Sequence, residues 1–245
     1  MRELPPNSGL DVCPVCGERQ FSRQTVLWQE LIDAWRLSLD EVDYINLQQG
    51  FLCTNCKNNL RSMTLAAAVT KAFRFTGSFQ DLCRANPNIR QKTVLEVNAA
   101  GSLSPFLRLL PRHTQRSFPQ LDMQRMNFDV ASIDVIIHSD TLEHVPDSVV
   151  ALKECLRVLK PGGRLFYTIP IVVGRLTKTR EGLPPSYHGE ADTNRDDYLV
   201  RTEYGADFWR EVFEAGFREV SLTSLVFPAS VAICARKCQS DALST

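Results

Sequence analysis

The sequence lacks the features that mark membrane proteins and strongly charged proteins. No apolar run in its 245 residues approaches the roughly 20 residues that a membrane-spanning helix needs. The opening segment, Met1-Arg-Glu-Leu-Pro-Pro-Asn, has no apolar core of the kind found in a secretory signal. Basic and acidic residues balance at 28 each, so no overall positive field attracts nucleic acids. We therefore expect a cytoplasmic protein with reduced thiols, no membrane partner, and a small molecule in preference to nucleic acid as its ligand.

Internal repeats and low-complexity runs are also absent. With 44% hydrophobic residues, a chain of this length can bury a full α/β core and still include one small accessory module. The sequence therefore predicts a folded protein with one main domain.

Four of the eight cysteines form two close pairs. In an intracellular chain, such pairs favour metal ligation over disulfides. Two residues between thiolates make a tight turn that lets both sulfurs reach one ion, and Gly17 removes a Cβ that would crowd the first turn. The alternative is that the pairs belong to separate turns that never meet. The predicted ligands of a structural Zn²⁺ ion are Cys13, Cys16, Cys53 and Cys56.

The segment between the two cysteine pairs has the apolar spacing of short amphipathic helices at Trp28–Leu37 and Leu39–Leu47. A helical hairpin there would bring the second pair back to the first. Arg61–Phe75 is rich in Ala and Leu and favours a further helix, with one more turn at Phe79–Arg84. A closed four-thiolate site leaves no position for substrate, so we expect the metal to serve folding and not catalysis.

The most informative stretch of the chain is a βαβ pattern. Ile133–Val145 contains a buried strand and a polar loop, and Ser148–Leu159 has helical apolar spacing. Pro161-Gly162-Gly163 then turns into a second buried strand, Arg164–Ile169. In open α/β sheets, ligands bind beyond the carboxyl ends of the strands. The polar residues expected at that place are His138, Ser139 and Asp140.

Two earlier segments complete the pattern. Thr93–Val97 predicts the first strand, which leads into Asn98-Ala-Ala-Gly101 and a helix from Pro105 to Leu110. His113–Pro119 occupies the place of a second strand, and Leu121-Asp122-Met123 precedes the strand at Val135–Ile137.

The order and spelling of these segments resemble the class I S-adenosylmethionine-dependent methyltransferases. The resemblance implies a Rossmann-like, doubly wound, mostly parallel sheet with an antiparallel last strand, and S-adenosylmethionine as the cofactor. It implies that Glu96 holds the amino group of the methionine moiety and that Asp122 lies beside the adenine. The cofactor-binding residues that it predicts are Glu96, Asn98, Gly101, Asp122, Met123, His138, Ser139 and Asp140.

The sequence departs from the family pattern at two places. The turn after the first strand has one glycine where the family usually has three, although Asn98 tolerates a left-handed backbone. The second strand lacks the carboxylate that usually holds the ribose, so Gln115 or another side chain would have to replace it. These departures favour an alternative, a catalytically silent methyltransferase-like scaffold. A nicotinamide-dependent reductase is a third possibility, but its Gly-rich fingerprint is absent. A methyltransferase that modifies RNA is less favoured, because residues 1–61 carry no Arg/Lys stripe.

The residues that would act in methyl transfer are predicted in two segments. His144 is either a general base or a structural residue that bonds a neighbouring backbone group, while Glu143 is expected to point to solvent or to pair with a lysine or arginine. Ile171–Glu203 is too long and too polar for a simple connection, so it is either a lid over the methyl group or a solvated surface excursion. Within it, Tyr187 and His188 are the candidates for substrate contact or proton removal.

The predicted domain organisation has three parts. Residues 1–62 form the zinc-binding module, residues 63–92 form linking helices, and residues 93–238 form the methyltransferase domain with its insertion at 171–203. Within that domain, a helix is expected to open at Thr202-Glu203-Tyr204 and to end at Gly216. Phe217–Phe227 and Ala229–Lys237 are expected as the last two strands.

Overall fold

The computed structural model describes residues 10–187 and 198–239. The chain divides into two compact units, each assembled from several segments. Unit 1 contains residues 1–91, 101–111 and 222–233, and unit 2 contains residues 92–100, 112–221 and 234–245. The boundaries predicted at 62/63 and 92/93 were placed where the sequence motifs change, whereas the two units are defined by packing. Those boundaries stay predictions.

Unit 1 is mostly helical and has one antiparallel pair of short strands, β1 and β2. The helices predicted at 28–37, 39–47, 61–75 and 79–84 are confirmed with small shifts of their ends. The helix predicted at 105–110 starts earlier, because a 3₁₀ turn at Gly101–Leu103 leads directly into it. The bounds in this unit are β1 Phe21–Arg23, β2 Phe51–Cys53, α1 Gln29–Trp35, α2 Leu39–Gly50, α3 Leu60–Ala72, α4 Phe79–Ala85, α5 Pro87–Arg90 and α6 Ser104–Leu107.

The helix starts in unit 1 follow from short polar side chains. At α2, the Ser38 hydroxyl accepts from the Glu41 N–H and the Glu41 carboxylate accepts from the Ser38 N–H, which is a capping box. At α3, the Asn59 side chain accepts from the Ser62 N–H at 2.9 Å. Since the first N–H groups of a helix have no partner within the helix, these caps fix where α2 and α3 begin.

Most of the main sheet lies in unit 2. Its six strands follow the order β10-β11-β6-β5-β3-β4, and the four strands from β6 to β4 run parallel. The predicted mostly parallel, Rossmann-like sheet is therefore confirmed. The strand bounds are β3 Val94–Val97, β4 His113–Arg116, β5 Ile133–Ser139, β6 Leu159–Thr168, β7 Ile171–Val172, β8 Lys178–Thr179, β9 Thr202–Gly205, β10 Glu219–Thr223 and β11 Ala232–Arg236, and the helices are α7 Ser148–Val158 and α8 Trp209–Glu214.

The predicted βαβ crossover corresponds to β5, α7 and β6. Asp147 caps α7 by accepting from the Val150 N–H at 2.9 Å, and the apolar face of the helix is buried. The expected Pro-Gly-Gly turn is instead part of β6, where the register with β5 shifts. An added Cβ at Gly163 would lie 2.8 Å from the Lys160 carbonyl oxygen, so the irregularity needs glycine.

The insertion at 171–203 forms part of a second, three-stranded sheet in the order β7-β9-β8. The prediction that a helix opens at Thr202 is wrong. Residues 202–205 pair with β7 on one side and with β8 on the other, and the side chains of Glu203 and Tyr204 are buried. Tertiary pairing thus overrides the helical pattern, and the helix α8 starts only at Trp209. None of the helices in the described ranges is long and apolar enough to cross a membrane.

Candidate functional site

Glu96 lies near the carboxyl end of β3 and has no exposed surface. One carboxylate oxygen accepts a hydrogen bond from the Ala100 N–H at 2.8 Å. The other oxygen lies 2.8 Å from Nε2 of His113, the first residue of β4. Glu96 therefore fixes the turn that follows its own strand, and both oxygens have protein partners. Its predicted contact with the cofactor stays a prediction.

Asn98 joins the ends of three neighbouring strands. Its φ of 58° lies in the left-handed region, as the sequence predicted. The side-chain oxygen accepts from the Phe118 N–H at 3.1 Å, and the side-chain nitrogen donates to the Thr141 hydroxyl at 3.3 Å. Its backbone carbonyl accepts from Nε2 of Gln115 at 2.8 Å. Asn98 thus takes the sharp turn of a glycine and also links β3 to the segments after β4 and β5.

The same bonds give roles to two residues of β4. The sequence suggested Gln115 as a substitute for the missing ribose carboxylate, but its side-chain nitrogen donates to the turn after β3. His113 was not predicted as a site residue, and the structure pairs it with Glu96. The available signal was a carboxylate in one predicted strand and a histidine at the start of the next. The two can be paired only when the register of β3 against β4 is known, in which Glu96 lies opposite Gln115.

Gly101 ends the turn in the left-handed region with φ 58°. An added Cβ would lie 2.8 Å from the hydroxyl oxygen of Ser62, so a larger residue would be strained in conformation and crowded. Within unit 1, this is the point where the chain comes close to α3. The one remaining glycine of the turn therefore has a structural reason of its own.

The end of β5 carries the three predicted polar residues. His138 is fully buried, stacks on Tyr167 at 4.9 Å, and neither ring nitrogen has a hydrogen-bond partner within the described residues. Burial lowers the pKa of His138 to about 3, so the ring is neutral near pH 7. The Ser139 hydroxyl lies 2.8 Å from the Thr168 hydroxyl. Asp140 adopts a left-handed φ of 47° and turns the chain away from the sheet.

The turn after β5 is held by the last part of the insertion. The Nδ1 atom of His144 lies 3.0 Å from the Leu199 carbonyl oxygen, and the Arg201 N–H donates to the Glu143 carbonyl oxygen at 2.7 Å. These contacts fit the structural alternative for His144. The expectation that Glu143 faces solvent is wrong, because its side chain is 1% exposed, with Nε2 of His144 at 3.6 Å.

Asp122 and Met123 precede β5 in the chain. One carboxylate oxygen of Asp122 accepts from the Gln124 N–H at 2.8 Å, which makes a tight local turn. Met123 is buried beside it. That Asp122 and Met123 lie beside an adenine ring stays a prediction.

The insertion contains a buried ion pair. Arg180 pairs with Glu203 across β8 and β9, and its other terminal nitrogen donates to the Pro184 carbonyl oxygen at 2.7 Å. Tyr187 is half-buried and forms a single β-bridge with Leu199. The segment up to Tyr187 therefore contains strand pairing and a buried ion pair, and its role as a lid stays a prediction. His188 lies outside the described residues.

The four paired cysteines come together. Their sulfur atoms all lie within 4.8 Å of one another, with 3.7 Å between Cys13 and Cys56 and 3.6 Å between Cys16 and Cys53. In a tetrahedron with metal–sulfur bonds of about 2.3 Å, sulfur atoms are about 3.8 Å apart. The cluster therefore has the dimensions of a tetrathiolate zinc site, and the alternative of two turns that never meet is wrong.

The two cysteine turns have the same backbone design. The residue after each pair, Gly17 in the first turn and Lys57 in the second, has a left-handed φ of 81° and 58°. Its N–H donates back to the carbonyl of the first cysteine of the pair, at 2.8 and 3.0 Å. The first turn also accepts two N–H bonds from the start of α4 through its Pro14 and Val15 carbonyls. The cluster is therefore held by backbone geometry as well as by its sulfur atoms.

Two of the cavities among the described residues have volumes of about 530 and 300 Å³. The first is bounded by α2 and residues 226–229 of unit 1. The second is bounded by β8, β9 and α8 of unit 2. None of the predicted cofactor residues lines either cavity.

Comparison with known proteins bears on the βαβ part of the chain. Residues 78–167 match the family described as a methyltransferase domain. The match covers 90 of the 245 residues, so this stretch, with its parallel strands, is similar to a methyltransferase domain.

Particular relatives share only short stretches. A ubiquinone biosynthesis O-methyltransferase from Idiomarina loihiensis is 35% identical over 68 residues, which are 25% of this chain and 28% of that protein. A probable S-adenosylmethionine-dependent methyltransferase from Mycolicibacterium smegmatis is 32% identical over 63 residues, 24% of each chain. The chain thus spans about a quarter of the length of these curated relatives.

Solved structures show weak likeness. The DszA carbon methyltransferase has a TM-score of 0.44 and 16% identity, over 74% of this chain and 55% of that chain. A methyltransferase from Thermotoga maritima, described as a possible histamine N-methyltransferase, has a TM-score of 0.40 and 16% identity, over 73% and 90%. With TM-scores below 0.5, these two likenesses carry no argument about the family of this chain.

Proposed function

We propose that the protein transfers a methyl group from S-adenosylmethionine to an oxygen, nitrogen or carbon nucleophile of a small molecule. The observation that carries this proposal is the methyltransferase-domain match over residues 78–167, which includes the carboxyl ends of β3 and β5. Those ends carry Glu96, Asn98, Ser139 and Asp140 at the edge of a parallel sheet where ligands bind.

The residues at the strand ends fit such a cofactor in most respects. Asn98 and Gly101 give the sharp backbone turn that lets main chain approach a ligand, and Glu96 holds that turn through the Ala100 N–H. For Asp122, no partner of the second carboxylate oxygen is found within the described residues, so this oxygen is available to a polar ligand. The described residues show no carboxylate at the end of β4 for the ribose.

When bound, the cofactor supplies an electrophilic methyl group on a positively charged sulfur. The protein then needs to align the acceptor, exclude water and accept a proton where the acceptor must lose one. Tyr187 and His188 of the insertion are the proposed residues for contact with the acceptor or for proton removal. Because His144 bonds the Leu199 carbonyl, we place it as a positioning residue that holds the insertion near the end of β5.

The variants Tyr187→Phe and His188→Ala test whether these two side chains act in methyl transfer. We expect either substitution to lower the rate of methyl transfer more than the affinity for S-adenosylmethionine. Arg175→Ala, in the same insertion, is the control. Unchanged rates in both variants would remove the insertion from the reaction.

We further propose that the four cysteines hold one Zn²⁺ ion. Their sulfur–sulfur distances fit tetrahedral coordination, and four cysteine thiolates are a common ligand set of structural zinc sites. Four thiolates complete the coordination, so the ion would serve the folding of unit 1. No reaction step depends on it.

A specific observation favours the second candidate, a silent scaffold. Glu96 is fully buried with both oxygens bonded, and the side-chain nitrogen of Gln115 is bonded to the turn. Isothermal titration of the zinc-loaded protein with S-adenosylmethionine separates the two candidates. Binding in the range of about 1–100 µM supports the enzyme. Absence of heat up to about 1 mM would support the scaffold and overturn the proposed transfer.

A further inference from the structure

The larger of the two cavities, of about 530 Å³, lies in unit 1, and none of the residues proposed for methyl transfer lines it. Three segments of unit 1 surround it: the loop after β1, helix α2 with the start of β2, and residues 226–229. Its volume falls within the range of about 300–1,000 Å³ that is typical of small-molecule sites.

Specific bonds hold the cavity walls, so the cavity is a formed site and not a packing gap. The Asn46 side-chain oxygen accepts from the N–H groups of Val26 and Leu27, at 2.8 and 3.0 Å, and thereby fixes the loop after β1 to α2. The Gln24 N–H donates to the Gly50 carbonyl at 3.0 Å. An added Cβ at Gly50 would lie 1.9 Å from the Gln24 carbonyl oxygen, so this junction requires glycine.

The third wall is fixed as well. Ser230 follows directly on residues 226–229, and its hydroxyl lies 2.6 Å from the Thr64 hydroxyl of α3, with both groups buried. Helix α3 begins at the Asn59 cap, whose side-chain nitrogen donates to Gln49 of α2 at 3.1 Å. All three walls are therefore tied to one another inside unit 1.

The lining has a distinct chemical character. Its interior is apolar and partly aromatic, and Phe227 is 69% exposed at its edge although it is a large apolar side chain. Phe51 is covered by the stacked ring of Phe21 at 4.8 Å and by the guanidinium of Arg23 at 5.6 Å. The apolar and aromatic lining residues are Tyr44, Leu47, Phe51, Val226, Phe227 and Pro228.

The charges at this cavity are unequal. Asp40 and Asp43 contribute two exposed carboxylates from the start of α2, whereas Arg23 contributes one cation. The net charge of the lining is therefore negative, and the aromatic rings favour a cation as well. We propose that this cavity binds a small molecule with an aromatic or other apolar ring and a protonated amine, the ring lying among the apolar residues and the amine near Asp40 and Asp43.

A pair of probes of equal shape tests the charge preference. Tryptamine and indole-3-propionate carry the same ring on a short chain, one ending in an amine and the other in a carboxylate. Titration of the zinc-loaded full-length protein, followed by calorimetry, should show saturable binding of tryptamine at about 1 mM or below, and at least about ten-fold weaker binding of the acid. Equal affinities, or no saturation by tryptamine at about 5 mM, would overturn the proposal.

Variants then locate the bound amine. Asp40→Asn together with Asp43→Asn should weaken tryptamine binding about ten-fold, and Leu47→Trp should abolish it by filling the cavity. Asp33→Asn on α1, an exposed residue that does not line the cavity, is the matched control and should change nothing. Zinc content and S-adenosylmethionine affinity should stay the same in all these variants, which separates this site from the proposed transfer. Unchanged tryptamine binding in the Leu47→Trp variant with normal zinc content would place the amine elsewhere and refute the site.

Discussion

The imidazole of His113 lies 2.8 Å from the carboxylate of Glu96, and both side chains are shielded from solvent. The pair joins two neighbouring parallel strands at the point where the first turns toward the proposed cofactor site. The other carboxylate oxygen of Glu96 accepts a hydrogen bond from the Ala100 N–H, so the pair and the turn are joined by hydrogen bonds.

Replacing His113 by Phe should destabilise the protein by about 3 kcal/mol, because a buried carboxylate then loses its partner. His113→Gln, which keeps a donor, should lose much less. Urea unfolding curves of the two variants measure the difference. If the Phe and Gln variants unfold at the same urea concentration as the wild type, the pair does not contribute to stability.

Asn98 offers a separate test of the turn. Asn98→Gly keeps the left-handed backbone and loses only the side-chain bonds, whereas Asn98→Ala loses the bonds and adds strain of about 1 kcal/mol. We expect the Ala variant to be the less stable of the two and to bind S-adenosylmethionine more weakly. Thermal unfolding and calorimetric titration give both quantities. Equal stability of the two variants would show that the backbone conformation is not the reason for asparagine here.

The cysteine cluster predicts a metal content of about one Zn²⁺ per chain. Cys13→Ser and Cys56→Ser should each lose bound zinc and most of the soluble protein, since the folding of a tetrathiolate site depends on its metal. Cys238→Ser, a cysteine outside the cluster, is the control and should keep the metal. Metal analysis by mass spectrometry after gel filtration decides the point, and metal-free protein with an unchanged circular dichroism spectrum would contradict it.

Glu211 predicts a pH dependence of stability. Burial raises the pKa of its carboxyl above the usual value near 4.5, and the Tyr204 hydroxyl donates to it at 2.9 Å. Because the folded state holds this proton more tightly than the unfolded state, the stabilisation is complete below pH 4.5 and is lost as pH rises through the higher folded pKa.

The comparison with Glu211→Gln isolates this effect. The variant cannot ionise, so the wild type should lose stability relative to the variant as pH rises from about 4.5 toward neutrality. Urea unfolding at a series of pH values measures that difference. A constant difference between the two proteins across this range would show that Glu211 does not titrate differently on folding.

Much of the fold follows from local signals in the sequence. The capping residues Ser38 and Asp147 mark the starts of two helices, and the apolar run at Val135–Ile137 marks a strand buried on both faces. The spacing of the cysteines predicted that the two pairs come together, because two turns with thiolates at the same spacing fit one ion. The helix caps and the strand depend on short stretches of chain, and the meeting of the cysteines could be predicted because the same spacing occurs twice.

The failures have a different physical origin. The sequence predicts a helix that opens at residue 202, but residues 202–205 form a strand because two other strands pair with them. Glu143 has the charge of a surface residue, yet its side chain is 1% exposed in the folded chain. The bond between Glu96 and His113 requires the register of β3 against β4, which a sequence pattern does not specify. What could not be predicted is what depends on partners distant in the chain.

The composition of the two units limits how this protein can be cut. Unit 1, which holds the cysteines, also includes residues 101–111 and 222–233, so the chain passes between the units at 91/92, 100/101, 111/112, 221/222 and 233/234. A fragment starting at residue 93 would carry two strips of unit 1 without the helices they belong with. Expression trials that trim the amino-terminal cysteines should therefore give an insoluble product, and the smallest workable fragment is close to the full chain.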